Sequence, residues 1–413
     1  MRVGFARVGL PVEDGTPMGG YAFRDGGVDG VLDPLTVSAV TWYDGRHRAA
    51  LVLTDLVCVN ADVVRAARAA VTDVDVLWIA ASHTHSGPET GCVPGGAPTP
   101  EPWLARLTAR VTTAVADARR REVAATGVAY TGPVRGVGSA RSQVSGEPTV
   151  PLDVVEVRAD GRRAGVLAVL PVHPTVLPAG NLSVSADLTG AVRRALARRL
   201  GPDVWVAVAT GAAGDISTRH VRRGQDTAEL ARLGDLVAER CLALLAGAGV
   251  PAWSADGTVR WRGEPIRLAA KPSGDTGAQV EQASAALSAA RDAGDAGAER
   301  VAAGNLSGAR YVAGLGAGGD VDTEVGAWRI GELALAALPG EPFLALAESV
   351  RRGRTGPTAV LGYANGYPGY LPCADAYRTE QYEVLVSAVA AGGGERIAAL
   401  AADLIATLDR SAT

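Results

Sequence analysis

The chain has 413 residues, of which 47% are hydrophobic and 20% charged, with a formal net charge of −4. This composition supports a large buried core and excludes a disordered chain, and mixed charges without long runs exclude a basic nucleic-acid footprint and an acidic tail. A small-molecule substrate is the expected partner.

In chain order, the opening segment Met1 to Leu10 lacks the continuous apolar stretch of a signal peptide. No later run has membrane-spanning length and character, so a soluble, cytoplasmic protein without stable membrane insertion is expected. Apolar runs at Ala49 to Thr54, Val74 to Ala80, Ala164 to Val172, Val204 to Ala209, Ile330 to Leu338 and Thr358 to Gly362 read as buried strands, by their length and flanking Gly, Pro and Asp. Between them Ala61 to Ala70, Pro102 to Arg121 and Asp187 to Leu200 have helical spacing, the last opening on a capping-type Asp. The alternation predicts an α/β fold, with β-sheets flanked by helices. Leu268 to Asp320 is poor in large apolar residues and reads as an insertion: either a helical hairpin or lid, with breaks at Gly294 and Gly297, or a surface excursion. Glu395 to Leu408 predicts a final amphipathic helix. Cys58, Cys92, Cys241 and Cys373 are far apart without CxxC spacing, which predicts neither a disulfide nor a thiolate metal site and fits a reducing compartment.

Polar clusters begin where apolar runs stop: His83, His173, Gly214-Asp215-Ile216-Ser217, Pro339-Gly340-Glu341 and Asn365 to Tyr370. If the strands are parallel, these clusters converge at their carboxyl ends, where open α/β sheets bind ligands. His83 and His85, two of only five histidines, would place both rings on one face of an extended strand, roughly 6.5–7 Å apart. Two imidazoles and a carboxylate such as Glu341 form a usual zinc set with an open position. The same residues also read as a satisfied core histidine, His173, and a polar strand end. Asp55, Asp187 and Asp215 are candidates to orient a ligand imidazole, or simply caps, and His47 and His220 read as incidental.

The string Ala-Ser-His83-Thr-His85-Ser-Gly-Pro88 resembles the His-Thr-His-Ser-Gly-Pro signature of the neutral (non-lysosomal) ceramidases, zinc amidases that cleave N-acyl-sphingosine. Further matches follow in the same order: Met18-Gly-Gly-Tyr21 with Gly30 to Leu35, Arg141-Ser142, Val172-His173-Pro174-Thr175 with Val184 to Asp187, Gly214 to Ser217, Pro339-Gly340-Glu341, Gly369-Tyr370 and Gln381-Tyr382-Glu383. The resemblance implies a zinc site at the carboxyl ends of strands in mixed β-sheets, with Zn2+ held by His83, His173, Glu341 and Tyr370. It also implies that His85, Arg141 and Tyr382 contact the amide carbonyl or the tetrahedral intermediate, and that Ser217 matches a serine described in the family as catalytic. The implied architecture is one catalytic domain over 1–413, with the 268–320 insertion.

The match covers the catalytic portion only, since such ceramidases carry an additional carboxyl-terminal β-sandwich and usually a secretion signal. Thr218-Arg219 stands where the family has Pro-Asn after the serine, and Ala186 where it has Gly; both border the substrate. Arg219 and Arg222-Arg223 suit a polar or anionic ligand better than a membrane lipid. The expected function is therefore hydrolysis of a C–N amide bond in a soluble N-acyl small molecule, through zinc-activated water and an oxyanion site. Acyl transfer or intramolecular amide formation, true ceramide hydrolysis and a non-catalytic binding protein are the alternatives.

Overall fold

The structure is a computed structural model and describes residues 1–142, 149–272, 274–315, 318–379 and 381–410. It is a mixed α/β fold built on three larger sheets. The first orders its strands Val76–Ala81, Arg48–Thr54, Thr36–Tyr43, Arg2–Gly9 and Val123–Ala124. A second runs Trp205–Thr210, Arg162–Leu170, Thr149–Ala159, Thr126–Arg135 and Val250–Trp253. The third runs Val259–Leu268, Val321–Ile330, Leu333–Ala337 and Thr358–Leu361.

Each sheet contains one parallel pair at its edge, and its other neighbours are antiparallel. A parallel pair needs a crossover, and in each case the chain supplies a helix. Ala61–Ala70 lies between Arg48–Thr54 and Val76–Ala81, Asp187–Leu200 between Arg162–Leu170 and Trp205–Thr210, and Leu344–Arg351 between Leu333–Ala337 and Thr358–Leu361. The six apolar runs thus pair off in three mixed sheets, in keeping with the expected mixed β-sheets flanked by helices. Run length reveals burial, not which strand lies alongside.

The continuous apolar character of these strands follows from burial on both faces. Along Arg48–Thr54, Ala49, Leu51 and Leu53 join the core shared by all three sheets, and Ala50 and Val52 pack outward. Leu167 and Val169 likewise face the shared core while Val166, Ala168 and Leu170 face outward; Leu333, Leu335 and Ala337 alternate with Ala334, Ala336 and Leu338. The shared core is tied together by Trp78 stacked on Trp328 at 3.9 Å and by Trp42 edge-on to Trp328 and Trp253. Outward faces are covered by helices, among them Trp103–Arg120 on the first sheet, Thr227–Leu245 on the second and Gly393–Arg410 on the third.

Several expectations need correction. The run from Ile330 to Leu338 is two strands broken by a turn at Gly331, whose φ is 57°. Asp187 is not a conventional cap: its own φ is 48°, and its carboxylate accepts the Val176, Leu177 and Leu188 N–H groups. Cys58 and Cys92, 34 residues apart, form a disulfide. Separation in sequence does not measure separation in space, and a disulfide weighs against the reducing compartment expected from cysteine spacing. No helix among the described residues is long and apolar enough to cross a membrane. Between 276 and 315 lie two packed helices, Thr276–Asp292 and Ala296–Leu315, with Leu287 and Leu306 in a small cluster of their own.

Candidate metal centre

Each of the three parallel pairs delivers chemistry just past its strand ends. His83 lies two residues beyond Val76–Ala81, His173 three beyond Arg162–Leu170, and Glu341 four beyond Leu333–Ala337. A short parallel pairing then registers Glu341 against Tyr370, and an isolated bridge joins His173 to Ser217. Ser217 is paired in turn with Ser139 through Ile216–Ser217 and Ser139–Ala140, which sets Arg141 beside the serine; the Arg141 N–H donates to the Asp215 carbonyl.

The two histidines of His83-Thr84-His85 do not share the face of an extended strand. The strand ends at Ala81, and His83 has φ 63°, a left-handed conformation that is costly for a side chain larger than Gly. Its ring is held there by Val57, whose carbonyl accepts from Nδ1 at 2.7 Å, and by Tyr363, stacked at 4.1 Å. The bend brings His83 Nε2 within 3.2 Å of His85 Nε2, far closer than pleating alone allows. Gly20 makes room for the His85 ring, because a Cβ there would lie 2.5 Å from its Cγ.

His173 Nδ1 donates to the Ala213 carbonyl at 3.0 Å. With Nδ1–H engaged on a main-chain oxygen in both His83 and His173, Nε2 is the nitrogen of each ring left to hold a metal ion. These two nitrogens face each other across 2.9 Å. Glu341 Oε2, fully buried and without a hydrogen-bond partner among the described residues, lies 3.3 Å from one and 3.5 Å from the other, while Oε1 accepts from the Tyr367 hydroxyl at 2.6 Å. Two imidazole nitrogens and a buried carboxylate oxygen converging on one point suit a cation. Ligand atoms around a tetrahedral zinc would stand roughly 3.3 Å apart, given bonds of about 2.0–2.1 Å. His83, His85 and His173 offer ligand nitrogens all within 4.8 Å of one another, so the residues present fit a metal ion.

Burial, reinforced by the charges of His83 and Arg141, holds the His85 and His173 imidazoles well below their ordinary range, so both are neutral. Glu341 is pushed up by burial but ends below the usual carboxylate range through His83, Tyr367 and Arg141. Burial drives the Tyr370 phenol well above 10, partly opposed by Arg141, and lifts Tyr382 to about 12. Arg141 donates from Nη1 to the Tyr370 hydroxyl at 2.9 Å, and its Nε lies 2.8 Å from Glu383 Oε1. Tyr382 lies edge-on to Tyr370, and the Arg141 guanidinium sits 5.4 Å from its ring centre.

All eight residues expected from the sequence therefore gather in one region. The three aspartates do not orient imidazoles: Asp55 binds Thr36 and Arg193, Asp187 holds the 176–177 main chain, and Asp215 accepts from the Leu344 N–H. Main-chain carbonyls take that role. Tyr363, Tyr367 and Glu383 were missed, and the first two lie in the same Tyr/Gly-rich stretch as Tyr370. His220 Nε2 lies 3.1 Å from the Arg141 carbonyl oxygen, on the main chain beside the site. Above the histidines lies a cavity of about 220 Å³ whose walls include Tyr21, Ser217, Arg219, Arg222 and, from the Ala296–Leu315 helix, Ser307.

No family model matches the sequence, and no curated protein matches it significantly. Among solved structures, the chain is similar to neutral ceramidase from Pseudomonas aeruginosa, with 17% identity and a TM-score of 0.76, covering 99% of this chain and 74% of that one. It is similar also to a structure described as "Ceramidase complexed with C2", with 16% identity and a TM-score of 0.77, covering 99% of this chain and 75% of that one. The likeness read from scattered motifs thus extends to the fold over nearly the whole chain.

Proposed function

We propose that the protein is a zinc-dependent hydrolase of an amide bond in a small N-acyl molecule. The observation that carries this reading is the convergence of the His83 and His173 Nε2 atoms on the buried Glu341 Oε2. In this reading His83, His173, Glu341 and Tyr370 hold the ion. Bound there, zinc supplies a Lewis acid for a carbonyl oxygen and makes water acidic enough to lose a proton near neutral pH.

The protein's own groups do the rest. Arg141, anchored by Glu383, and the protonated phenol of Tyr382 donate hydrogen bonds to the carbonyl oxygen as negative charge develops on it. His85 moves the proton: unlike the other two histidines, its buried Nδ1 has no partner among the described residues, so neither tautomer is locked. Ser217 positions the substrate and does not attack. Its Oγ accepts from the Arg219 N–H at 3.3 Å, and no hydrogen bond to a histidine that would activate it is present among the described residues.

The fold shared with proteins described as ceramidases supports amide chemistry. The small cavity and its arginines support a compact polar substrate over a membrane lipid. Metal analysis after zinc-replete expression tests the reading: one equivalent of zinc is expected, and less than half an equivalent would overturn it.

A further inference from the structure

We propose that Arg219 and Arg222 form an anion subsite, and that the substrate is an amide bearing a carboxylate close to the scissile bond. This rests on the amidase reading and adds the substrate class to it.

The cavity over the histidines is lined by Arg141, Arg219 and Arg222, and among the described residues no aspartate or glutamate lines it. Arg141 is accounted for by Glu383 and Tyr370. The other two are not. Among the described residues the Arg219 guanidinium has neither an ion pair nor a hydrogen bond, and Arg222 spends Nη1 on the Thr175 carbonyl at 2.6 Å and has no carboxylate partner. Both are half-buried, and their acidity responds: burial, with the Arg141 charge, lowers Arg219 to about 10, and burial lowers Arg222 as well. Carboxylates act on them only through space, Glu383 on Arg219 and Asp187 and Glu229 on Arg222, and burial outweighs them, so a directly paired anion would stabilise both cations.

The loop is built to hold them in place. Ser217 is bridged to His173, its Oγ takes the Arg219 N–H, and the Val221 and Arg222 N–H groups both donate to the Thr218 carbonyl. The guanidiniums are therefore carried on a fixed turn directly after a residue in contact with the metal centre. A planar guanidinium recognises a carboxylate in two-point fashion, which suits it to orienting a short substrate. At about 220 Å³ the cavity lies below the roughly 300–1,000 Å³ of sites for drug-sized ligands, so an anion in it lies near the reacting amide.

The test uses zinc-loaded protein and a panel of N-acetyl amino acids, each paired with its uncharged carboxamide, together with N-alkyl succinamates, in which the carboxylate sits on the acyl side. Binding is measured by calorimetric titration, and turnover separately by amine release. At least one acid should bind ten times or more tightly than its uncharged counterpart, and its position on the amine or acyl side identifies which half of the substrate carries the charge. Arg219→Gln with Arg222→Gln should abolish that preference while zinc stays at one equivalent, and Arg219→Lys should restore part of it. Equal binding of acids and carboxamides, no binding by any acid, or a preference that survives the double substitution would overturn the subsite. Absence of turnover with the binding preference intact would instead count against the amidase reading alone.

Discussion

The Nε2 atoms of His83 and His173 stand 2.9 Å apart, and both rings give their Nδ1–H to main-chain carbonyls. A cation held by these nitrogens and Glu341 would join three separate segments of the chain, so its binding would be linked to folding. Removing the metal with a chelator is expected to lower the melting temperature, by about 3 kcal/mol of lost stability at a free ion concentration of 100 times Kd. Glu341→Ala should lose zinc and show no further shift with chelator. Differential scanning calorimetry with metal analysis checks both.

Arg141 and Glu383 form a buried pair, with side chains 11% and 4% exposed. Removing one partner strands the other charge, so Arg141→Ala is expected to cost about 3–5 kcal/mol. Glu383→Gln keeps the shape and should cost less. Urea unfolding of the two variants gives the comparison; equal losses would mean that the stranded charge, not lost packing, dominates at this site.

Asp187 is fully buried, and burial raises its carboxyl from 3.8 to about 6 despite three main-chain donors. Between those values the folded state holds a proton that the unfolded chain has released, so stability falls as pH rises through that window, by up to about 3 kcal/mol. Asn in its place has no charge to bury and tolerates a positive φ. Asp187→Asn should gain relative to the native chain on going from pH 4 to pH 7, as read from denaturant midpoints at each pH. A constant difference between the two proteins across that range would remove Asp187 as the source.

Gly20 has φ 91° and abuts the His85 ring. Gly20→Ala should displace His85 without touching the Nδ1 anchors of His83 and His173. The expected result is a lower kcat with zinc retained at one equivalent; loss of zinc would make His85 a ligand.

The Cys58–Cys92 bridge closes a loop of 34 residues that contains both His83 and His85. A crosslink of that span stabilises by about 3–4 kcal/mol. Cys58→Ala with Cys92→Ala should lower the melting temperature, and a reductant should lower that of the native chain but not of the variant.

Legibility in the sequence followed the physics of each feature. Strand-end clusters stood out because doubly buried strands are apolar throughout, so His83, His173 and Glu341 mark where each run stops. Partition among three sheets was hidden, since Leu51, Leu167 and Leu335 look alike in sequence yet lie in different sheets around one core. The left-handed turn at His83 was hidden as well, because nothing in His-Thr-His prescribes the sign of φ. Tyr363 and Tyr367 act through a stacking and a hydrogen bond that only the folded chain creates.

His83, His173 and Glu341 each come from a different strand–helix–strand unit, one per sheet. No two units complete the set without the third, so a fragment lacking one sheet cannot assemble the centre. An ion held there would act as a keystone: its affinity would report on how the three sheets are seated, and a core mutation far from the histidines, at Trp328 for example, should register first as weakened metal retention.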